Sequence, residues 1–271
     1  MGMKELSPTV QVKVWGDFAL FTRPEFKVER VSYPFMTPSA ARGILDAILF
    51  KPQMAWHVRR ITALKPWWLK DDPSRPNYRL MSVLRNEIQG KISEREVVKW
   101  MKGAPPEPYL VDSAGRESVQ GQNRTQRHSL ILQDVAYLID ASPLLTERAN
   151  KPRKSPEGVD EPGGPDSIAK YVGMFQRRVA KGQCFHRPCL GIREFACHFS
   201  PLDGSEKVLA DWNEDLGVML HDLDYREDGI KPFFYHASVE NGVVHCDHLD
   251  PGPGGKPPVV LLGNENLEVA K

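Results

Sequence analysis

Thr37-Pro38-Ser39-Ala40-Ala41-Arg42-Gly43-Ile44-Leu45-Asp46-Ala47-Ile48-Leu49-Phe50-Lys51-Pro52 is the stretch from which the fold is read. Thr37 carries the side-chain oxygen that a helix N-cap uses, and Pro38 follows at the first helical position, where its missing N–H is not needed. Ala41, Ile44, Leu45 and Ile48 recur at the spacing of one apolar helix face. Arg42 and Asp46 fall one turn apart on the polar side. Lys51-Pro52 stops the helix, because the residue before a proline is pushed out of the α region.

On either side of this helix the period changes to two. Val10, Val12 and Val14 alternate with Gln11 and Lys13, the pattern of a half-buried strand. Residues 56–64 read as a second strand whose alternation breaks at Arg59 and Arg60. Residues 67–128, rich in Arg, Lys and Pro, read as a basic insertion with a short helix over 92–101. Strand periodicity returns over 129–140, where Val135, Tyr137 and Ile139 share a face. The Pro/Gly/charge-rich run 150–165 reads as a loop. A second helix is expected over 167–181, capped by Asp166 or Ser167 and stopped by Gly182, and a further strand over 192–199.

That order predicts an α+β protein with a ferredoxin-like (RRM-like) βαββαβ domain over residues 1–200. Such a sheet is a common platform for RNA, but the same order also builds many metabolic enzymes. Beyond residue 200 a strand is expected over 216–220. Phe233, Tyr235, Ala237 and Val239 alternate up to Asn241-Gly242, a strong hairpin signal, and Val243 begins the return. Residues 201–271 therefore read as a small C-terminal antiparallel β domain packed against the first, with a loose Pro/Gly-rich run over 251–258.

With 41% hydrophobic residues in 271, the chain can bury a core. No apolar run approaches the roughly 18 residues of a membrane span, and no secretory stretch follows Met1. A soluble, cytoplasmic protein without membrane contact is expected. Cys184, Cys189, Cys197 and Cys246 form no Cys-x-x-Cys pair. His245-Cys246-Asp247-His248 alternates across a strand-like segment and reads as structural, so no metal and no cofactor is expected. Nucleotide-binding glycine loops, His-Glu-x-x-His and Gly-x-Ser-x-Gly are absent.

The net charge of +1 conceals an asymmetry: residues 1–200 hold 31 Lys and Arg against 21 Asp and Glu, and residues 201–271 hold 5 against 14. Either the N-terminal part meets a polyanion, or the two parts neutralise each other across an interface. Under the first reading Arg23, Lys27, Arg30, Arg42, Arg177 and Arg178 are the candidate phosphate contacts. The second helix is distinctive. Ile168, Val172, Phe175 and Val179 are expected to face the core, while Lys170, Arg177 and Lys181 share another side with Arg178 nearby.

Trp15 to Pro24, Lys27 to Tyr33, Ala40 to Ile48 with Lys51-Pro52, Lys170 to Arg178, Pro188-Cys189-Leu190-Gly191-Ile192-Arg193-Glu194-Phe195 and Leu216 to Met219 occur in one collinear series. Together these blocks resemble the d branch of CRISPR-associated protein family five, the pre-crRNA-processing endoribonucleases of type I-C systems. The resemblance implies a ferredoxin-like domain with a C-terminal β domain. It implies metal-independent cleavage of the repeat hairpin of pre-crRNA. It also implies retention on the crRNA 5′ handle beside the large and backbone subunits of the interference complex. It further implies catalysis by a Tyr at the first helix's end, a Lys, and a His directly after that Lys. Here those positions hold Leu49, Lys170 and Tyr171, so Lys170 and Tyr171 are the catalytic candidates. His128, His57 and His186 are possible substitutes for the missing imidazole. Tyr33, in a matched block, either stacks on a base or packs in the core. A non-catalytic RNA-binding subunit remains the competing reading.

Overall fold

The computed structural model describes residues 8–26, 29–86, 94–105, 124–150, 153–154, 160–161, 166–226, 229–249 and 259–262. In chain order the elements are β1 (Val10–Ala19), β2 (Arg30–Val31), α1 (Pro38–Ile48) and β3 (Met54–Ala63). The basic stretch 67–128 contributes β4 (Trp68–Leu69), β5 (Asp72–Pro76), β6 (Tyr78–Asn86) and α2 (Glu94–Met101). There follow β7 (Arg124–Leu145), β8 (Arg153–Lys154), β9 (Asp160–Glu161), α3 (Ile168–Ala180) and β10 (His198–Ser200). The remainder is β11 (Glu214–Arg226), β12 (Gly229–Glu240), β13 (Val243–His245) and β14 (Leu261–Leu262).

The first helix forms as its sequence dictates. The Thr37 hydroxyl accepts from the Ala40 N–H, and Pro38, Ala41, Ile44, Leu45 and Ile48 are buried. Arg42 and Asp46 pair across one turn at 3.4 Å. The period-two residues Val10, Val12 and Val14 are also buried. The broken alternation of the second strand has a cause: its register against β7 shifts between Val58 and Arg60, leaving Arg59 as the extra residue.

The mixed α+β architecture rests on one sheet in the order β10-β1-β7-β3-β13-β12-β11, with β2 and β6 also on β7 and β14 on β12. Periodicity places the strand over 129–140, but β7 runs five residues further at each end because pairing extends it. Residues 124–132 pair with β6 and residues 137–145 pair with β3. Between the two partners Asp134 adopts φ 49, a left-handed kink that aspartate tolerates better than most residues.

The expected strand over 192–199 shrinks to β10. Leu190 donates to the Phe195 carbonyl at 2.8 Å and Phe195 to that of Ile192 at 3.1 Å, which folds residues 190–195 into a tight loop. Gly191 sits in that loop at φ 89, so close to β1 that a Cβ would lie 2.0 Å from the Leu20 carbonyl oxygen. Leu20 in turn donates to the Leu190 carbonyl at 3.0 Å.

The C-terminal strands are antiparallel, as expected, and their hairpin turns at Asn241 and Gly242 with φ 53 and 78, the pair of left-handed residues a type I′ turn requires. They do not stand apart from the rest. β13 pairs with β3 through Val243–Thr62, Val244–Ile61 and His245–Arg60, so the same sheet continues. It curls until β11 packs on α1, where the Arg42 guanidinium forks onto Asp222 with contacts of 3.0 and 2.7 Å. The expected loop over 251–258 and most of that over 150–165 lie outside the described residues.

Gly191→Ala combines a left-handed φ with a backbone clash, whereas Gly204, at φ 83, has open space around it. Gly204→Ala is expected to cost about 1 kcal/mol and Gly191→Ala about 3 kcal/mol or more, read from urea unfolding midpoints. Equal midpoints for the two variants would remove the close packing of the 190–195 loop on β1.

Candidate nucleic-acid interface

The basic helix α3 begins at Ser167, whose hydroxyl accepts the Lys170 N–H, and it is followed by Gly182 at φ 61. Its buried row is Tyr171, Phe175 and Val179. This corrects the expected phase: Ile168 and Val172 are only half-buried, and Tyr171 takes the core position instead. The i, i+4, i+8 row is set by large side chains. The Phe175 ring meets Trp56 edge to face at 4.8 Å, and the Trp56 indole N–H donates to the Leu49 carbonyl at 3.0 Å. Tyr171 is 2% exposed, so its ring belongs to the packed interior.

On the other side Lys170, Arg177 and Lys181 are exposed, as their spacing predicts. Lys170 Nζ pairs with the Asp166 carboxylate at 2.5 Å and lies 5.5 Å from the Tyr171 ring centroid. The lysine side chain is 40% exposed and that of Asp166 only 5%. Arg178 turns inward: its guanidinium donates to the Ile48 carbonyl at 2.6 Å. Ile48 ends α1, so this cation satisfies a carbonyl that the helix leaves without an intrahelical partner. Leu49, the C-cap, is fully buried.

The segment after α3 returns to the same place. Phe185 and His186 both donate their backbone N–H groups to the Ala47 carbonyl, at 2.7 and 3.0 Å. The C-terminal end of α1, the middle and end of α3 and residues 183–187 thus form one surface. From Ser167 to Arg193 the chain has six Lys and Arg and no Asp or Glu. That acid-free run was visible in the sequence. Its convergence on the end of α1 was not.

The remaining candidates lie elsewhere. Arg23 holds its guanidinium 5.0 Å from the Tyr33 ring, and Arg30 is half-buried on β2 against β7. Tyr33 was expected either to stack on a base or to pack. It packs, at 2% exposure, and burial, with Glu25 second, pushes its phenol up to about 12. Arg42, a predicted phosphate contact, is engaged by Asp222 and Asp46. Lys27 lies outside the described residues. Of the substitute histidines, His128 is exposed on β7, His57 is buried against Asp247 at 2.8 Å, and His186 is exposed beside Phe185. A cleft of about 430 Å³ opens beside the first turns of α1, lined by Thr22, Ser39, Arg42, Gly191 and Asp222 among others, and α3 contributes nothing to its lining.

The His245-Cys246-Asp247-His248 run is built into the fold. Asp247 is shared by His57 and by Arg59, the latter at 3.0 Å. The His248 ring stands 5.2 Å from His57 and 4.7 Å from His221, whose Nε2 is 2.9 Å from the Cys246 carbonyl. Cys246 is buried, which pushes its thiol up. Among the described residues no group of three or more His, Cys, Asp and Glu could hold a metal ion, and no helix is long and apolar enough to cross a membrane.

Known proteins resemble this chain along nearly its whole length. Residues 9–247 match the family Cas_Cas5d, "CRISPR-associated protein (Cas_Cas5)". A protein of Mannheimia succiniciproducens, named CRISPR pre-crRNA endoribonuclease Cas5d, is 43% identical over 241 residues, spanning 87% of this chain and 93% of the relative. Its namesake from Thermus thermophilus is 41% identical over 251 residues, spanning 86% and 89%. A solved structure described as "Crystal Structure of CRISPR-associated Protein" superposes with a TM-score of 0.54 at 22% identity over 90% of this chain and 94% of its own, a likeness of fold.

The histidine cluster predicts an acid-labile fold. Burial first, then His221 and His57, hold the His248 imidazole down to about 4, and burial also lowers that of His221. Below the ordinary histidine value near 6.5 the unfolded chain takes up protons that the folded chain refuses. Stability should therefore fall as pH drops from about 6.5 toward 4, and His248→Gln should flatten that slope in thermal melts. A variant whose midpoint falls as steeply as the wild type's would show that His248 is not the group responsible.

Proposed function

Because this chain belongs to the Cas5d family of CRISPR-associated proteins, we propose that it does what its curated relatives are named for and cleaves pre-crRNA as an endoribonuclease. The observation that carries this reading is the identity of 41–43% to those relatives over most of both chains. The exposed basic side of α3 supplies a surface fit for a polyanion. The order β10-β1-β7-β3, with every neighbouring pair antiparallel and with α1 between β1 and β3 and α3 between β7 and β10 along the chain, supports the ferredoxin-like reading of residues 1–200. Residues 201–271 then act as a brace that holds α1 through Arg42 and Asp222.

The chemistry proposed is attack of a ribose 2′-OH on the neighbouring phosphate within the repeat, with no metal ion, leaving a 2′,3′-cyclic phosphate. It requires a proton acceptor, a proton donor for the leaving 5′-oxygen, and positive charge over the phosphorane. Lys170 supplies the charge by exchanging Asp166 for phosphate. Leu49 has no proton to move and is buried. A phenol is nevertheless retained, at Tyr171 rather than at the end of α1. After the cut the protein is proposed to stay on the 5′ handle of the crRNA, beside the large and backbone subunits of its complex. The buried Leu49 and Tyr171 favour one further reading, that of an RNA-binding subunit which does not cut.

Cleavage of the cognate repeat RNA by the purified protein in EDTA separates the two. A single cut supports the enzyme, and tight binding without a cut leaves only the binding subunit. Lys170→Ala is expected to slow single-turnover cleavage at least 100-fold while affinity stays within a few-fold, because the contact is made mainly in the transition state. A wild-type rate would take Lys170 out of the mechanism.

The proton acceptor is found by a pair of variants. Tyr171→Phe keeps the packed ring and loses only a hydroxyl, and His186→Ala removes the exposed imidazole that the fold brings to the end of α1. With Tyr171 at 2% exposure, the Phe variant is expected to cut within a few-fold of the wild type, and the His186 variant to lose roughly 100-fold, the usual worth of general acid–base help. The reverse result in single-turnover assays across pH would make the phenol the base.

A further inference from the structure

Two phenylalanines stand in solvent where α1 meets the segment after α3. Phe50 is 50% exposed and Phe185 56%, and their rings stack with centroids 6.4 Å apart and planes 28° apart. The His186 ring adjoins Phe185 at 4.3 Å, which makes a row of three aromatic rings. Single exposed apolar side chains are ordinary, but a row of rings fixed in the open is not. The row is fixed. Phe50 follows the buried cap Leu49, whose N–H donates to the Leu45 carbonyl at 2.9 Å, and Phe185 and His186 are both tied to the Ala47 carbonyl.

The surroundings select the ligand. Lys51 adjoins Phe50, Arg178 binds the carbonyl of Ile48, and Lys181 and Arg187 flank Phe185 in sequence within a run that has no Asp or Glu. The apolar centre of a protein interface is typically depleted of charge. Flat π faces set among cations instead suit a strand whose bases stack while its phosphates pair.

We infer that Phe50 and Phe185 form a stacking platform for unpaired nucleobases of the bound RNA, an inference that rests on the reading of this chain as an RNA-cutting protein. Phe50 and Phe185 offer π faces and no cation, so they hold bases, and the phosphate to be cut lies between Lys170 and the His186 ring at the platform's edge. Lys170 and Arg178 are eight residues apart on α3, about 12 Å along the axis, a gap that a lysine and an imidazole reaching in from its two ends can bridge. The stacked bases therefore neighbour the cut and set its position in the RNA.

The test uses the full chain with repeat RNA carrying 2-aminopurine at unpaired positions, a blunt RNA duplex without unpaired bases, and the variants Phe50→Ala, Phe185→Ala and Phe185→Tyr. Urea midpoints confirm that each variant folds. Each Ala variant should lose about tenfold in affinity for the repeat RNA and the 2-aminopurine quenching at one position, with binding to the duplex unchanged. The salt dependence of binding should stay as in the wild type, since no phosphate contact is removed. Phe185→Tyr should retain wild-type affinity. Wild-type affinity and quenching in both Ala variants would overturn the platform, and so would an equal loss on the duplex. Unchanged RNA binding with loss of a protein subunit would also overturn it, and would make the rings a protein contact. Failure of the wild-type protein to bind repeat RNA at all would instead count against the reading beneath, and it is seen before any variant is compared.

Discussion

β7 is the strand on which the other parts depend, because it is paired along both edges. β1 lies on one side over Leu132–Ala141, and β6 and then β3 occupy the other. Its residue Ile139 faces Val12 and Ile61 across the two ladders, and all three are fully buried. Since a one-residue slip would turn every side chain to the opposite face, this double pairing fixes which residues of three strands meet the helices. Trp56 is thereby placed under Phe175, and the end of α1 beside α3. The kink at Asp134 lets one strand serve both the insertion and the core sheet.

The charge asymmetry has two explanations, and the structure divides it between them. Acidic residues beyond position 200 engage several N-terminal cations: Glu206 holds Lys13 at 3.3 Å, Asp222 holds Arg42 and Asp247 holds Arg59. Arg42 is thus a clasp between α1 and β11 rather than a free cation. Residues 167–193 contain no Asp or Glu; Lys170 is held by Asp166 just before the helix, and α3 keeps Arg177 and Lys181 on its exposed side. Neutralisation accounts for part of the excess, and another part stands on the exposed side of α3.

Capped and periodic elements were legible in the sequence because their causes are local. Thr37-Pro38, the 41/44/45/48 stripe and Asn241-Gly242 each act within a few residues, and the structure follows them closely. The extra length of β7 was not legible, since residues 124–128 and 141–145 are held by partners far along the chain. The loss of the strand over 192–199 was hidden for a similar reason: Gly191 is required by its approach to Leu20, about 170 residues upstream. At the site, the identity of the basic helix and the Arg42–Asp46 pair were legible, but the hold of Asp222 on Arg42 and the packing of Tyr33 were not. Whether a cation or a ring is available depends on what the fold places beside it.

Tyr171 shows how narrow that dependence is. On an α-helix adjacent positions differ by about 100°, so whether position 171 or 172 leads the core row decides whether a phenol is wet or dry. Both rows contain apolar residues, and both share Phe175 and Val179. The row with the larger side chains wins, because Tyr171 buries more area than Val172 against the same sheet. The consequence for chemistry follows from that choice. Once the phenol is in the core, the groups left in solvent at this junction include cations and the ring of His186. Helical phase, and not residue identity alone, therefore determines which side chains of α3 stand in solvent.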